Sequence, residues 1–368
     1  MAGKYLLTGG AGFIGRHLCA ELLETGNQVR VLDSLIAQVH GDGAPSLPAD
    51  VELLEGDVRD VDLLDKALRD VDGVFHLAAE VGVGQSMYEI TRYVGANDLG
   101  TAVLLQRLAA NPVCRLVVAS SMSVYGEGLY QDATGRPHPA VMRAPGAAAP
   151  AWDPVAPDGG PLTPVPTDET KQVNLASIYA LTKFVQERSC QIFGSAYGVE
   201  VVVLRLFNVF GPGQALSNPY TGVLANFGAR LLHGQPPLVF EDGEQKRDFV
   251  HVRDVARAFR LAMENPFAAG HTINVAAGRR YTIAQVAQLL AQAMDVPHLR
   301  PTILNKARVG DIRHCFADIT KARALLGFEP QFPLEDSLEE LVGWIKASDA
   351  RDRIEDARQQ LETRGLVI

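Results

Sequence analysis

Apolar and polar positions along the first 125 residues alternate between two periods. Lys4–Thr8 is a short apolar run that predicts a strand. Phe13–Glu24 then places Ile14, Leu18 and Leu22 on one helix face, and Gly26 supplies a C-terminal stop. Gln28–Asp33 and Val51–Glu55 are the next strands, followed by a helix through Leu63, Leu64 and Leu68. Gly73–Leu77 predicts a strand, Thr91–Ala110 a helix and Arg115–Ser120 a strand. Repeated strand–helix units with apolar strands imply α/β architecture, a doubly wound parallel sheet covered on both faces.

Gly126–Lys171 breaks the rhythm. It shows neither period, is rich in Pro, Ala and Gly, and reads as a long loop. A helix from Ser177 to about Tyr197 and a strand at Glu200–Phe207 restore order. Beyond them short strands (Leu238–Phe240, Phe249–Val250, Thr272–Val275) interleave with helices (Arg253–Met263, Ile283–Met294, Leu334–Lys346), which suggests a smaller mixed α/β domain. Ser348–Arg364 is charged and helix-prone and reads as a solvated terminal helix.

Composition narrows the class. The 368 residues suit about two domains. Hydrophobic residues at 47%, charged residues at 21% and a mean hydropathy of +0.04 describe a globular chain. The net charge of −9, from 34 basic and 43 acidic residues, argues against nucleic-acid binding as the main role. Four cysteines, at 19, 114, 190 and 315, follow no paired spacing, so small buried thiols in a reducing cytoplasm are expected. No apolar run is long enough to span a membrane, and Met1-Ala2-Gly3-Lys4 leads directly into a strand, so a cytoplasmic chain without a leader is expected. Of 21 prolines, nine fall between Tyr130 and Thr170.

Candidate chemistry begins at Thr8-Gly9-Gly10-Ala11-Gly12-Phe13-Ile14-Gly15, between the first strand and the first helix. Gly10, Gly12 and Gly15 satisfy G-x-G-x-x-G, and Gly9, Gly12 and Gly15 the related G-x-x-G-x-x-G. Glycines permit the tight turn and a close approach of pyrophosphate, which the helix N-terminus then faces. Asp33 ends the next strand, 18 residues after Gly15, where a carboxylate receives the hydroxyls of an adenosine ribose. The context predicts a Rossmann-type dinucleotide site, and Asp33 favours NAD over NADP.

Ser120-Ser121-Met122-Ser123-Val124-Tyr125-Gly126 ends a strand at the ligand-binding edge of such a sheet, and Tyr179 and Lys183 share a helix face one turn apart. A tyrosine with an ordinary pKa near 10 is a poor base, but an ammonium and an oxidised nicotinamide nearby would favour the phenolate. Tyr179 could then take a proton from a sugar hydroxyl while hydride leaves the same carbon, with Ser121 bonded to that oxygen.

The chain resembles the extended short-chain dehydrogenase/reductase family, the nucleotide-sugar epimerases and dehydratases, from Lys4 to about Lys346. The resemblance rests on T-G-G-A-G-F-I-G (8–15), G-D-V-R-D (56–60), H-L-A-A (76–79), N-x-x-G-T (97–101), S-S-M-S-V-Y-G (120–126), Y-A-L-T-K (179–183), R-L-F-N-V-F-G-P (205–212) and R-D-F-V-H-V-R-D (247–254). It implies that Asp57 and Val58 contact adenine, that Leu77, Ala78, Ala79 and Ser120 line the cofactor, and that Asn97 braces the strand ends near the nicotinamide. Lys183 would also bind the nicotinamide ribose. On the substrate side it implies Ser121, Ser123 and Asn208 as ligands, Phe240 against the nucleobase, and Arg247 and Arg308 as diphosphate clamps forming a local anion site.

The same resemblance sorts the reaction. Related 4,6-dehydratases carry an Asp-Glu pair after the serine, and the decarboxylases and GDP-mannose dehydratases a Glu two residues before the Tyr of V-Y-G; Met122 and Ser123 stand there. A cysteine of the GDP-fucose synthase kind is also missing from this segment. Simple redox at one carbon remains: a 4-epimerase with trapped NAD, or a one-way dehydrogenase or reductase that exchanges its cofactor. Segment 218–224, the run E-D-G-E-Q-K-R-D-F-V-H-V and the insert before Tyr179 are similar to the dTDP-L-rhamnose 4-epimerase branch, with a UDP-glucose or UDP-glucuronate 4-epimerase as the alternative. A non-catalytic NAD-binding scaffold is disfavoured because Tyr179 and Lys183 are both present. The insert lacks the Cys pairs of that branch, so no metal is expected. A homodimer through the Tyr179 helix and the helix beginning near Thr91 is implied by the family.

Ser121 and Tyr179 must meet at one hydroxyl, so residues 127–170 start and end beside one site. They are expected to form an insert in the cofactor domain, a lid or rim over the sugar pocket. The expected division is 1–207 with about 242–275 for NAD, 208–241 with 276–346 for the sugar nucleotide, and 347–368 as a helical tail.

Overall fold

The computed structural model describes residues 2–41, 46–138, 152–216, 220, 222–348, 352 and 354–367. Seven strands form one parallel sheet: β1 (Lys4–Thr8), β2 (Gln28–Asp33), β3 (Glu52–Glu55), β4 (Gly73–His76), β5 (Arg115–Ser121), β6 (Glu200–Leu206) and β7 (Thr272–Val275). Their order is β7-β6-β5-β4-β1-β2-β3. The direction of winding reverses beside β1 and β4, which opens a crevice at the strands' C-terminal ends. Thr8, Asp33, His76, Ser121 and Leu206 all end strands there.

Helices cover both faces, which is why the inner strands read as unbroken apolar runs. On one face Leu18 and Leu22 of Phe13–Glu24 pack with Ala258 and Phe259 of Val252–Glu264. On the other, Leu64, Leu104, Leu108, Cys190 and Phe193 share a core with Val74, Leu116 and Val203. A separate apolar cluster joins Val223–Leu232, Ile283–Ala293 and Leu334–Lys346 through Leu224, Phe227, Leu290, Leu341 and Ile345.

The structure corrects four expectations. The helix predicted over Thr91–Ala110 is α-helical at Ile90–Tyr93 and Gly100–Ala110 but widens to a π-turn over Val94–Leu99, a distortion common at functional positions. Cys114 is exposed, because it lies in the turn ahead of β5, before the strand enters the core; the other three thiols are buried.

The stretch read as a loop, Gly126–Lys171, holds a small antiparallel sheet of Leu129–Gln131 with Pro137–His138 and Thr163–Val165. Pro137 and Pro164 sit on its short outer strands, where a missing N–H breaks no ladder, and this hid the alternation. Tyr130, Ala156 and Leu162 make its core. Residues 139–151 lie outside the described residues. What pins the insert is distant in sequence. The Arg313 guanidinium, 2% exposed, meets Asp153 at 2.7 Å, Glu241 at 2.9 Å and Asp242 at 2.6 Å. Glu127 accepts the Arg313 backbone N–H at 2.6 Å and the Tyr130 hydroxyl at 2.8 Å.

The tail is also not simply solvated. Its helix, Ile354–Thr363, buries Ala357 and Leu361, four residues apart on one face. Two apolar side chains among charged ones are too few to register as a buried pattern in sequence.

Candidate active site

One cavity of about 630 Å³ runs along the C-terminal ends of the strands. At its cofactor end Gly9 takes φ +70°, and a Cβ there would lie 2.7 Å from the Ala78 backbone nitrogen. A Cβ at Gly15 would lie 2.5 Å from the Gly10 backbone, so both positions require glycine. Gly12 caps the first helix and faces the cavity, as do Phe13 and Ile14 in its first turn. This is a cradle shaped for a pyrophosphate.

Asp33 is buried at the cavity wall and accepts the N–H groups of Ala11 and Leu35, each at 3.0 Å. His40 Nε2 stands 3.5 Å from the same carboxylate. Asp57 lines the cavity while chelating Arg59, which holds its carboxyl below the ordinary range; Val58, Leu77, Ala78 and Ala79 complete the wall. Ser120 also lines it and donates to Glu187 Oε2 at 3.0 Å, and Glu187 in turn is paired with buried Arg205.

Asn97 does not line the cavity. Its fully buried amide, on the π-turn, accepts from Glu80 N at 2.7 Å and donates to Thr182 Oγ1 at 2.9 Å. It therefore ties the segment after β4 to the helix Ile178–Tyr197, a bracing position without a ligand contact.

Ser177 caps that helix, accepting from Ala180 N at 3.1 Å, and so fixes where Tyr179 and Lys183 emerge. Tyr179 N donates to Ser86 Oγ at 3.0 Å, which locks the first turn. Ser121 Oγ accepts from Ser123 N at 3.2 Å and from Ser123 Oγ at 3.0 Å. With both acceptor positions used, its own proton is directed outward. Burial raises the Tyr179 phenol, and the hydrogen bond with Ser121 draws it back. Tyr179, Ser121, Ser123 and Lys183 all face the cavity.

Lys183 departs from the expected arrangement. Its Nζ donates to Gln186 Oε1 at 2.7 Å, and burial lowers it to about 8. Gln186 continues into a buried network: its Nε2 donates to Thr101 Oγ1 at 2.8 Å and to the Ala78 carbonyl at 3.3 Å. Thr101 spends its proton on the Asn97 carbonyl at 2.6 Å, so His76 Nε2, 2.9 Å away, must be the donor to Thr101. His76 Nδ1 is then bare and accepts from Thr8 Oγ1 at 2.7 Å. Burial and the Lys183 charge push His76 down to about 3, which agrees with a neutral ring. Gln186, His76, Thr8 and Thr101 carried no role in the sequence reading. The signal was present in H-L-A-A and in the i, i+3 spacing of Lys183 and Gln186, but polar residues on an apolar face read as structural.

At the substrate end Asn208 lines the cavity from a short strand, Asn208–Phe210, paired with Phe249–His251. Arg308 lies over the Phe240 ring at 4.6 Å and pairs with Asp311 at 2.9 Å. Arg247 donates to the carbonyls of Lys246 and Arg313, each at 3.0 Å, and of Ile312. All three line one end of the cavity, but each guanidinium is turned onto protein groups. No described residue of 127–170, where a lid or rim was expected, lines the cavity; Ile354, Ala357, Arg358, Leu361 and Leu366 of the tail do. Residues 218, 219 and 221 of the segment 218–224 lie outside the described residues.

Among the described residues no helix is long and apolar enough to cross a membrane, and no group of three His, Cys, Asp or Glu is placed to hold a metal ion.

Residues 5–145 and 153–276 match the NAD dependent epimerase/dehydratase family. The chain belongs to this family. It is similar to a dTDP-L-rhamnose 4-epimerase of Burkholderia thailandensis, 33% identical over 349 residues, which cover 93% of this chain and 94% of that protein. Among solved structures it is similar to the UDP-glucose 4-epimerase of Thermotoga maritima with UDP-glucose, at 31% identity and a TM-score of 0.76, over 93% of this chain and 98% of that one. The Thermus thermophilus UDP-glucose 4-epimerase complex with NAD aligns at 28% identity and a TM-score of 0.74, over 94% and 99%. The family enzyme is an NAD-dependent epimerase with a Rossmann-type sheet, and the glycine cradle and Asp33 fit NAD.

Proposed function

We propose that the chain is a nucleotide-sugar 4-epimerase that interconverts dTDP-L-rhamnose and dTDP-6-deoxy-L-talose. One observation carries the 4-epimerase reading: Ser121 and Tyr179 face the same cavity at the end of β5, and the next positions, Met122 and Ser123, hold no acid or base. Elimination or decarboxylation would need one there. Identity to the Burkholderia enzyme supports the dTDP-L-rhamnose substrate. A UDP-sugar is the second reading, favoured by the likeness to the Thermotoga enzyme with UDP-glucose.

In this mechanism Tyr179 takes the proton from the sugar O4 and later returns it, while Ser121 donates to the oxygen that is negative at that moment. Ser123 holds Ser121 in place by its own donated hydrogen bond. Lys183, once its Nζ turns from Gln186 to a ribose hydroxyl, adds positive charge beside the phenol. NAD supplies the hydride acceptor and donor at C4. Residues 1–207 with about 242–275 would hold it, and 208–241 with 276–346 the sugar nucleotide. Asn208, Phe240, Arg247 and Arg308 serve the diphosphate and base, Arg308 by leaving Asp311. Exposed Leu181 and Ile192 on the Tyr179 helix, with Val94 and Leu99 opposite, support a homodimer through these helices.

The test is incubation of the purified protein with dTDP-L-rhamnose, without added cofactor, followed by NMR. A second sugar nucleotide is expected; no conversion of it or of any UDP-hexose refutes the epimerase. Tyr179→Phe should lower kcat by about 10²–10⁴ with an unchanged melting curve.

A further inference from the structure

The tail reaches both sides of the cavity. On the cofactor side Gln360 Oε1 accepts from Tyr88 Oη at 2.9 Å and from Tyr220 Oη at 3.2 Å, and the Arg364 guanidinium lies 4.3 Å over the Tyr88 ring. Leu361 meets Gly84, where an added Cβ would sit 3.4 Å from Leu361 Cδ1. Gly84 belongs to the turn Val83–Ser86, and it is Ser86 that accepts from Tyr179 N. The helix therefore comes down beside the reacting end of the cavity. On the opposite side Glu362 pairs with Lys306 at 2.9 Å, and Val309 N donates to the Leu366 carbonyl at 2.9 Å. Arg308 itself forms an antiparallel bridge with Val367.

We propose that residues 354–367 belong to the substrate site, strapping its two sides together and walling the sugar end with Ala357 and Leu361. This rests on the epimerase reading above. Oxidation removes a hydride from C4 to NAD and the O4 proton to Tyr179, leaving a neutral 4-ketose. That ketose must turn over inside the site to receive the hydride on its other face. If it escapes, two electrons remain on the cofactor and the enzyme stops in its reduced form. A wall that excludes water and blocks the exit prevents this loss. The same strap sets the loop carrying Arg308, so nucleoside diphosphate binding depends on it too.

Two variants test the strap: a chain ending at Ser348 and the full-length double variant Q360A/L361A. Either should raise the Kd for dTDP or UDP, measured by calorimetry, and raise the KM for the turned-over sugar nucleotide by about tenfold, the size expected for one lost buried leucine. Both should release the 4-keto sugar nucleotide, trapped by borodeuteride and read by mass as the added deuterium, while absorbance at the reduced nicotinamide band climbs. If the truncated chain does not fold, the double variant decides. Unchanged Kd in both arms, with no free ketose, overturns the strap. Failure of the full-length protein to epimerise any sugar nucleotide overturns the epimerase reading instead, and the calorimetric arm still judges the strap.

Discussion

The insert at 127–170 and the tail at 347–368 both extend the α/β frame, and opposite forces hold them. The insert is fastened to buried Arg313, whose guanidinium holds Asp153 of the insert together with Glu241 and Asp242, and by buried Glu127, which accepts from Arg313, His314 and Tyr130. The tail is fastened by many modest contacts: the buried face of Ala357 and Leu361, the Gln360 amide, a backbone bridge at Arg308–Val367, the Arg230–Asp352 pair at 3.0 Å and exposed pairs such as Lys306–Glu362. Buried ionic networks are costly to break, whereas exposed pairs contribute little each. The described part of the insert is therefore built into the fold through Glu127 and Asp153. The tail instead supplies cavity wall, through Ala357, Arg358 and Leu361.

Arg313→Ala should separate the two most sharply. Breaking the network leaves the Glu241 carboxylate buried against a cavity where a guanidinium stood, a loss of about 3–5 kcal/mol in urea unfolding. The insert should become protease-sensitive, while KM measured well below the melting temperature stays within about twofold, since no described insert residue lines the cavity. A large rise in KM would show that the insert does shape the substrate site.

Gln186→Glu lies in neither region and calibrates both. Burial sets Lys183 at about 8, so its ammonium is lost as pH rises through that value. A carboxylate 2.7 Å away should raise it, moving the alkaline fall of kcat/KM upward by about one unit or more. The sign for stability is opposite in kind. The unfolded lysine, at 10.5, binds its proton more tightly than the native one, so this group lets stability rise with pH between about 8 and 10.5, and the variant should flatten that rise. An unmoved kcat/KM profile would sever Gln186 from Lys183.

Tyr88→Phe is the mildest. It removes the hydroxyl that bonds Gln360 and Tyr220, leaves Tyr220 still donating to Gln360, and keeps the ring under Arg364. The expected cost is about 0.5–1.5 kcal/mol, read as a KM rise of about two- to tenfold with the melting temperature within a degree or two. A drop in melting temperature without a change in KM would make the tail a stability element only.

Much of the site was legible because its chemistry depends on local spacing. The helix after Gly12, the strand ending in Asp33 and the pair Tyr179–Lys183 each need only a few neighbouring residues to declare themselves. The glycine positions were legible because only a residue without a Cβ fits Gly9 against Ala78. Illegible were features whose energy comes from partners far apart. Arg313 and Asp153 are 160 residues apart, and Gln186 and Thr101 are 85 apart. Prolines masked the insert's strands, and charge masked the tail's buried face.

The sequence by itself determined the parallel sheet, the glycine cradle and the placing of Ser121, Tyr179 and Lys183 as one candidate site, since period, turn and helix spacing are local properties of the chain. Only the tertiary structure decided which added segment lies against the cavity. Burial of Ala357 and Leu361, and the ion pairs that carry the insert elsewhere, exist only once distant residues meet. It also decided that Lys183 rests on Gln186, because that contact is one link of a chain that runs through Thr101 and the strand end at His76 to the strand end at Thr8.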